Sequence, residues 1–322
     1  VQVFAQSKFR IDDYAKLVQL SDPQISPDGK SVVVVVSRPD YINNRYNAEL
    51  VLVDVATGNK TVLTQDRLSV SSPRWSPNGE KLAFISKAGT GKDALNQIFL
   101  LPLAGGEAKQ ITKAPKGVQH FAWSPNSVDI AYAALNEPKN KSEIEKGFTG
   151  FEVSNNDMFV GSQPVSSHIW LVNTKSLDYK RLTDGEWSLP IIIPPSPPSS
   201  PLSWSPDGKN LLFVKVATPY SGDGRNRTIQ ILNVEDGNFR PLTARTQLEA
   251  FPSFSPDGSR IAYWYKKDGR IENIHQLWIA DAAGGEGNAI SDKLNRDLYL
   301  SAWLPDGKGL LVGGHNNNKT SL

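Results

Sequence analysis

The chain has 322 residues, 35 Lys plus Arg against 33 Asp plus Glu, a formal net charge of +2 and no cysteine. The near-balance gives no general pull toward nucleic acid or acidic membranes, so neither is expected as a partner. The missing cysteines exclude disulfides, zinc-thiolate sites and thiol catalysis, and no run of about twenty apolar residues offers a helical membrane span.

At the start, Val3-Phe4-Ala5 before Gln6 has the small or aliphatic residues that end a secretory signal. A periplasmic or secreted location is the expectation, with a cytoplasmic home and an ordinary first strand as the alternative. Arg10 to Leu20 reads as a short amphipathic helix, because Ile11, Tyr14, Ala15 and Val18 fall at helical spacing and Asp12 and Asp13 sit near its start. Residues 1–20 are accordingly taken as an N-terminal segment and 21–322 as the main body.

From Pro23 onward one phrase recurs six times: PQISPDGKSVVV, PRWSPNGEKLAF, FAWSPNSVDIAY, LSWSPDGKNLLF, PSFSPDGSRIAY and SAWLPDGKGLLV. Its prolines are Pro27, Pro77, Pro125, Pro206, Pro256 and Pro305, at steps of 50, 48, 81, 50 and 49 residues. Proline presets φ for the second position of a type I turn, and glycine accepts positive φ at the fourth. An aromatic or apolar run on each side makes the phrase strand, turn, strand. A second phrase follows the first five copies, as in AELVLVDVATGNKTVLT from Ala48 and RTIQILNVEDGNFRPLT from Arg227. It adds two more strands. Four strands in roughly 45 residues, repeated, predict an all-β chain: a β-propeller of four-stranded antiparallel blades, five complete and the first hairpin of a sixth. A linear array and a β-sandwich are the competing architectures.

The 81-residue step has two sources. One is an insertion in blade three between its second and third strands, about 136–165. The other is a proline-rich connection from Pro190 to Pro198, which cannot be a central strand and should run extended. Thr218 to Arg227 forms a smaller polar, Gly-bearing loop in blade four.

No catalytic motif is present. There is no Gly-x-Ser-x-Gly elbow, Gly89-Thr90-Gly91-Lys92 lacks the frame of a phosphate loop, and His120, His168, His275 and His315 have no metal-ligand spacing. No cofactor, metal or catalytic residue is therefore expected. The blade-three insertion is where the repeat rule breaks, and loops that depart from a scaffold carry function. Glu143, Glu145, Glu152 and Asp157 supply carboxylates there that suit a substrate amine; the competing reading is a solvated loop.

The phrases and their order resemble the N-terminal propeller of prolyl oligopeptidase family serine peptidases, in the dipeptidyl aminopeptidase or acylaminoacyl peptidase branch. The resemblance runs over nearly the whole chain. It is carried by the opening from Asp12-Asp13-Tyr14 to Leu20-Ser21-Asp22-Pro23 and by Phe151-Glu152-Val153 with Asn155-Asn156-Asp157, then Pro164 to Val172. It implies a following α/β-hydrolase domain that holds the Ser-His-Asp machinery, a peptide substrate, and a propeller that gates and docks it. The paired glutamates by which some members grip the substrate amine do not occur here. Glu152, Asn155, Asn156 and Asp157 remain as substrate-binding candidates by position. Since the chain ends inside blade six, the expectation is either a piece of a longer enzyme or a shortened relative without peptidase activity. The alternative function is a stand-alone TolB-like propeller that binds protein.

Overall fold

A computed structural model describes residues 10–91, 94–155, 163–190, 200–294, 296–316 and 319–321. Two compact units divide it, Val1–Lys113 and Ala114–Leu322. The first unit carries two four-stranded antiparallel sheets, in strand order one to four. The second carries three more and a sixth sheet of three strands. Blade one is built from Gln19–Ile25, Ser31–Asp40, Arg45–Asp54 and Lys60–Val62. Blades two to five span 71–110, 118–181, 203–241 and 250–289. Blade six has Leu298–Trp303, Leu310–Asn316 and Lys319–Ser321, so it extends one strand beyond the hairpin read from the sequence.

The repeated phrase forms its turn as expected. The N–H of Gly29 donates to the Ser26 carbonyl at 2.9 Å, and the same bond recurs from Gly79, Gly208 and Gly258. Those glycines have φ between 72° and 74°, and blade three accepts Ser127 there at φ 58°. The serine that opens the turn has its own task. Its hydroxyl donates to the Asp or Asn two residues on (Ser26 to Asp28 2.7 Å, Ser76 to Asn78 2.7 Å, Ser255 to Asp257 2.6 Å). It also accepts the N–H that opens the second strand (Ser31, Lys81, Arg260).

The same phrase joins neighbours within each unit. A Cβ on Gly79 would lie 3.8 Å from Pro27, one on Gly258 3.1 Å from Pro206, and one on Gly307 3.6 Å from Pro256, so each turn sits against the proline of the blade before it. The tryptophan ahead of the turn donates its indole N–H to a carbonyl of the preceding first strand: Trp75 to Gln24 at 3.1 Å, Trp204 to Ala122 at 3.2 Å and Trp303 to Ser253 at 3.3 Å.

The cores lie between blades, which explains the unbroken apolar second strands. Side chains alternate across a strand. In Asn210–Lys215, Leu211 and Phe213 pack with Ala131, Ala133 and Ile169 of blade three, whereas Leu212 and Val214 pack with Ile261, Tyr263 and Ala280 of blade five. All four are at most 1% exposed, and burial of each contributes about 1.5–3 kcal/mol. In the first unit Val33, Val35 and Leu50 meet Leu82, Phe84 and Leu101 in the same way.

A Thr or Ser after the fourth strand locks the third. Thr64, Thr112, Thr183 and Ser291 accept the N–H of Leu50, Ile98, Ile169 and Leu277 at 2.8–2.9 Å. Blade four departs from this: Ile229 donates to the carboxylate of Glu249 instead, at 2.8 Å, and the Thr243 hydroxyl donates to the other oxygen at 2.5 Å.

One expectation needs correction. The helix over Arg10 to Leu20 is a 3-10 helix of Ile11–Lys16 only, with no buried residue. Pairing of Gln19 with Ser37 and Leu20 with Val36 draws the following residues into strand. Ile11 is 83% exposed, so the apolar face has no core beneath it. The first strand starts at Gln19. The extended conformation expected for Pro190 to Pro198 lies, beyond Pro190, outside the described residues, as do Val3-Phe4-Ala5.

Candidate functional site

Antiparallel order sorts the connections of every blade. The Ser-Pro-Asp-Gly turns and the turns between third and fourth strands share one end. The loops between second and third strands, and the links to the next blade, share the other, here called the loop end. In the second unit the loop end carries the insertion between Leu135 and Ser167, the 216–227 loop of blade four and the 267–274 loop of blade five. The sequence left open which end the insertion occupies; the strand order settles it.

The turn end offers clefts. One of about 690 Å³ lies between blades four and five, by Pro206, Phe239 and Gly258. Another of about 720 Å³ lies between blades one and two, by Pro27, Leu63 and Gly79. The same positions of the repeat line both, so they belong to the architecture.

At the loop end the insertion is charged and exposed. Its described residues hold one short helix, Lys141–Glu145, with surface pairs from Lys139 to Glu186 at 3.0 Å and Lys141 to Glu137 at 2.5 Å. Glu143, Glu145 and Glu152 are exposed. Asn156 and Asp157 lie outside the described residues. Asn155 is anchored: its amide donates to Asp223 Oδ1 at 2.8 Å, and its carbonyl accepts the Gly222 N–H at 2.9 Å. The second oxygen of Asp223 accepts the Thr218 hydroxyl. Residue 222 must be small, because a Cβ there would stand 2.5 Å from the Asn155 carbonyl oxygen. The insertion of blade three is thus tied to the loop of blade four, three residues from Glu152.

Sequence reasoning passed over the groups on blades four and five. Glu249 is 1% exposed, at a place in the repeat where blades two, three and six bury Val70, Val118 and Leu298. Burial raises its pKa, opposed by the bonds from Thr243 and Ile229. His275 opens the third strand of blade five. Its N–H and its Nδ1 both meet Asp297 Oδ1, at 2.8 and 2.9 Å. Burial and the nearby Lys266 hold the ring below its ordinary value, against the pull of Asp297. His168 is fully buried and falls to about 4, mainly from burial. A reading of motifs had no means to find them, since each is defined by the partners that the fold brings to it. Among the described residues, no group of three His, Asp or Glu side chains is placed to hold a metal, and no helix is long and apolar enough to cross a membrane.

Comparison with known proteins places this geometry. Residues 26–121 match the family described as the dipeptidyl peptidase IV N-terminal region. Dipeptidyl-peptidase 5 of Porphyromonas gingivalis is 26% identical over 328 residues, covering 96% of this chain and 46% of that protein. The chain therefore spans about half the length of that curated relative. Among solved structures, the acylaminoacyl peptidase of Pyrococcus horikoshii has a TM-score of 0.68 at 17% identity, over 95% of this chain and 44% of that one. The β-propeller domain of the trilobed protease from Pyrococcus furiosus has a TM-score of 0.64 at 17% identity, over 95% and 80%. The all-β propeller class read from the six-fold phrase is borne out.

Proposed function

We propose, from the chain's place among N-terminal propeller domains of prolyl oligopeptidase-family peptidases, that it is the non-catalytic domain of a serine peptidase of short peptides. In this reading an α/β-hydrolase domain of the same protein is its partner and supplies the acyl-transfer chemistry, and the propeller admits and docks the peptide. The observation that carries the reading is the loop end of the second unit, where an insertion foreign to the repeat is fastened to blade four through Asn155, Gly222 and Asp223. A structure kept in place by two hydrogen bonds, with its acidic side chains turned to solvent, suits recognition better than spacing alone. Glu152 is the candidate for the substrate's free amine, and Asn155, Asn156 and Asp157 are further candidates by their place in the sequence. Export to the periplasm or beyond belongs to the same proposal and rests on Val3-Phe4-Ala5.

The test is cleavage by the protein that carries this chain. Short peptides should be turned over, and folded proteins of the same sequence content should not. Glu152→Gln should raise KM for peptides with a free amine and leave N-acetylated ones unchanged. Equal cleavage of folded proteins, or an equal effect on both peptide classes, refutes the gating and docking roles respectively.

A further inference from the structure

The loop end of blades four and five holds a row of positive charge whose neighbouring acids are engaged elsewhere. Arg227 opens the third-strand phrase of blade four at the position His275 takes in blade five, because Ile229 and Leu277 occupy the same step of the repeat. Its backbone carbonyl accepts the Glu249 N–H at 3.1 Å, which sets it against the first strand of blade five. Lys266 lies directly across the sheet from His275. Arg225 is exposed two residues before Arg227, in the loop that anchors Asn155.

Among the described residues, neither Arg225, Arg227 nor Lys266 forms an ion pair. The acids nearby are already committed. Asp223 accepts from Asn155 and Thr218, Glu249 turns inward to Ile229 and Thr243, and Asp297 accepts from His275. Arg227 is half-buried, and its one side-chain hydrogen bond among the described residues runs from Nε to the Gly224 carbonyl. That bond fixes the guanidinium plane and leaves its outer N–H groups unmatched by any carboxylate. Burial holds Arg227 below its ordinary pKa, and both Arg227 and Lys266 depress His275, as mutually close cations do. A fixed, partly desolvated guanidinium is the side chain best suited to bind a carboxylate through two parallel bonds.

We propose that Arg227, flanked by Lys266 and Arg225, is a carboxylate-binding site, and that it takes the negatively charged terminus or an acidic side chain of a peptide at the loop end. The peptide part rests on the function proposed above; the anion part does not. Free carboxyl termini and Asp or Glu side chains share this chemistry, and the probes separate them.

The experiment is fluorescence anisotropy on the 322-residue chain with three N-terminally labelled tetra-alanine probes: the free acid, the amide, and the amide with Glu in the last place. Succinate is titrated separately by NMR. The free acid or the Glu peptide should bind at least tenfold more tightly than the neutral amide. Arg227→Gln should abolish that preference, and Lys266→Gln should reduce it without changing the circular dichroism spectrum. Arg38→Gln, on blade one, should leave it intact. Equal binding of all three peptides overturns the carboxylate site and leaves the peptide reading standing. Succinate binding lost in Arg227→Gln, with no peptide bound, supports the site and removes the peptide reading. An Arg227→Gln chain that folds and keeps its preference overturns the proposal, as does Lys266→Gln without effect should Arg227→Gln fail to fold.

Discussion

Replacement of Glu249 by valine should stabilise the chain, contrary to what loss of two hydrogen bonds to a carboxylate would suggest. Glu249 occupies a place in the repeat where blades two, three and six bury Val70, Val118 and Leu298. Its two bonds, from Ile229 and Thr243, contribute about 1.5–3 kcal/mol each, and removing the ionised group from water costs several kcal/mol, so these terms nearly cancel. Valine adds about 1.5 kcal/mol of burial. The freed Thr243 hydroxyl can then accept the Ile229 N–H, as Thr64, Thr112 and Thr183 accept theirs, for about 1 kcal/mol. Against some misfit of volume, Glu249→Val should gain about 1–2 kcal/mol at neutral pH in urea unfolding. Glu249→Ala, which leaves a cavity, should gain nothing. The sign with pH follows from the raised pKa. Folded Glu249 holds its proton more tightly than the unfolded chain does, whose reference is 4.5. Its stabilising contribution is full below that value and lost as pH rises through the folded one. The advantage of Glu249→Val should therefore be greater at pH 7.5 than at pH 4. A loss of more than about 1 kcal/mol at both pH values, or a gain indifferent to pH, refutes the reasoning.

Three further outcomes follow from the same geometry. Gly222→Ala should push the Asn155 carbonyl away and expose the insertion to limited proteolysis near 148–155, with little change in melting temperature; unchanged cutting would mean that the tie does not hold the insertion. His168, lowered to about 4 from 6.5 by burial, should contribute stability present above 6.5 and lost as pH falls toward 4, roughly 3 kcal/mol at about 1.36 kcal/mol per unit; a His168→Gln chain as acid-sensitive as the parent argues otherwise. The His275 ring should titrate below 6.5 by NMR and lower still in Asp297→Asn, since Asp297 raises it; an upward move contradicts the pairing.

What was legible in the sequence was whatever the repeat wrote six times. Proline, Asp and Gly at fixed offsets state a turn wherever they occur, and the apolar runs state strands buried on both faces. The insertion was visible as a broken period, and the flanking strands end at Leu135 and resume at Ser167. The helix over Arg10 to Leu20 failed because periodicity says which residues share a face, not whether a core lies under it. The turn serine's double bond and the tryptophan's reach to the preceding blade were hidden, since both are contacts rather than patterns. Glu249, Arg227 and the His275–Asp297 pair were hidden for the same reason: each is an ordinary residue until the fold assigns it a neighbour. A comparison of aligned repeats could have flagged Glu249, the one charged residue at a position that holds Leu20, Val70, Val118, Ser199 and Leu298 in the other copies.

The central claim, that this propeller serves a peptidase without performing its chemistry, is tested most directly by labelling the complete protein that carries the chain with a fluorophosphonate and mapping the modified serine, alongside turnover of an aminoacyl-nitroanilide. Turnover is expected from the complete protein and none from the 322-residue chain, with the labelled serine outside these 322 residues. A modified serine within them, or turnover by the chain alone, would contradict it.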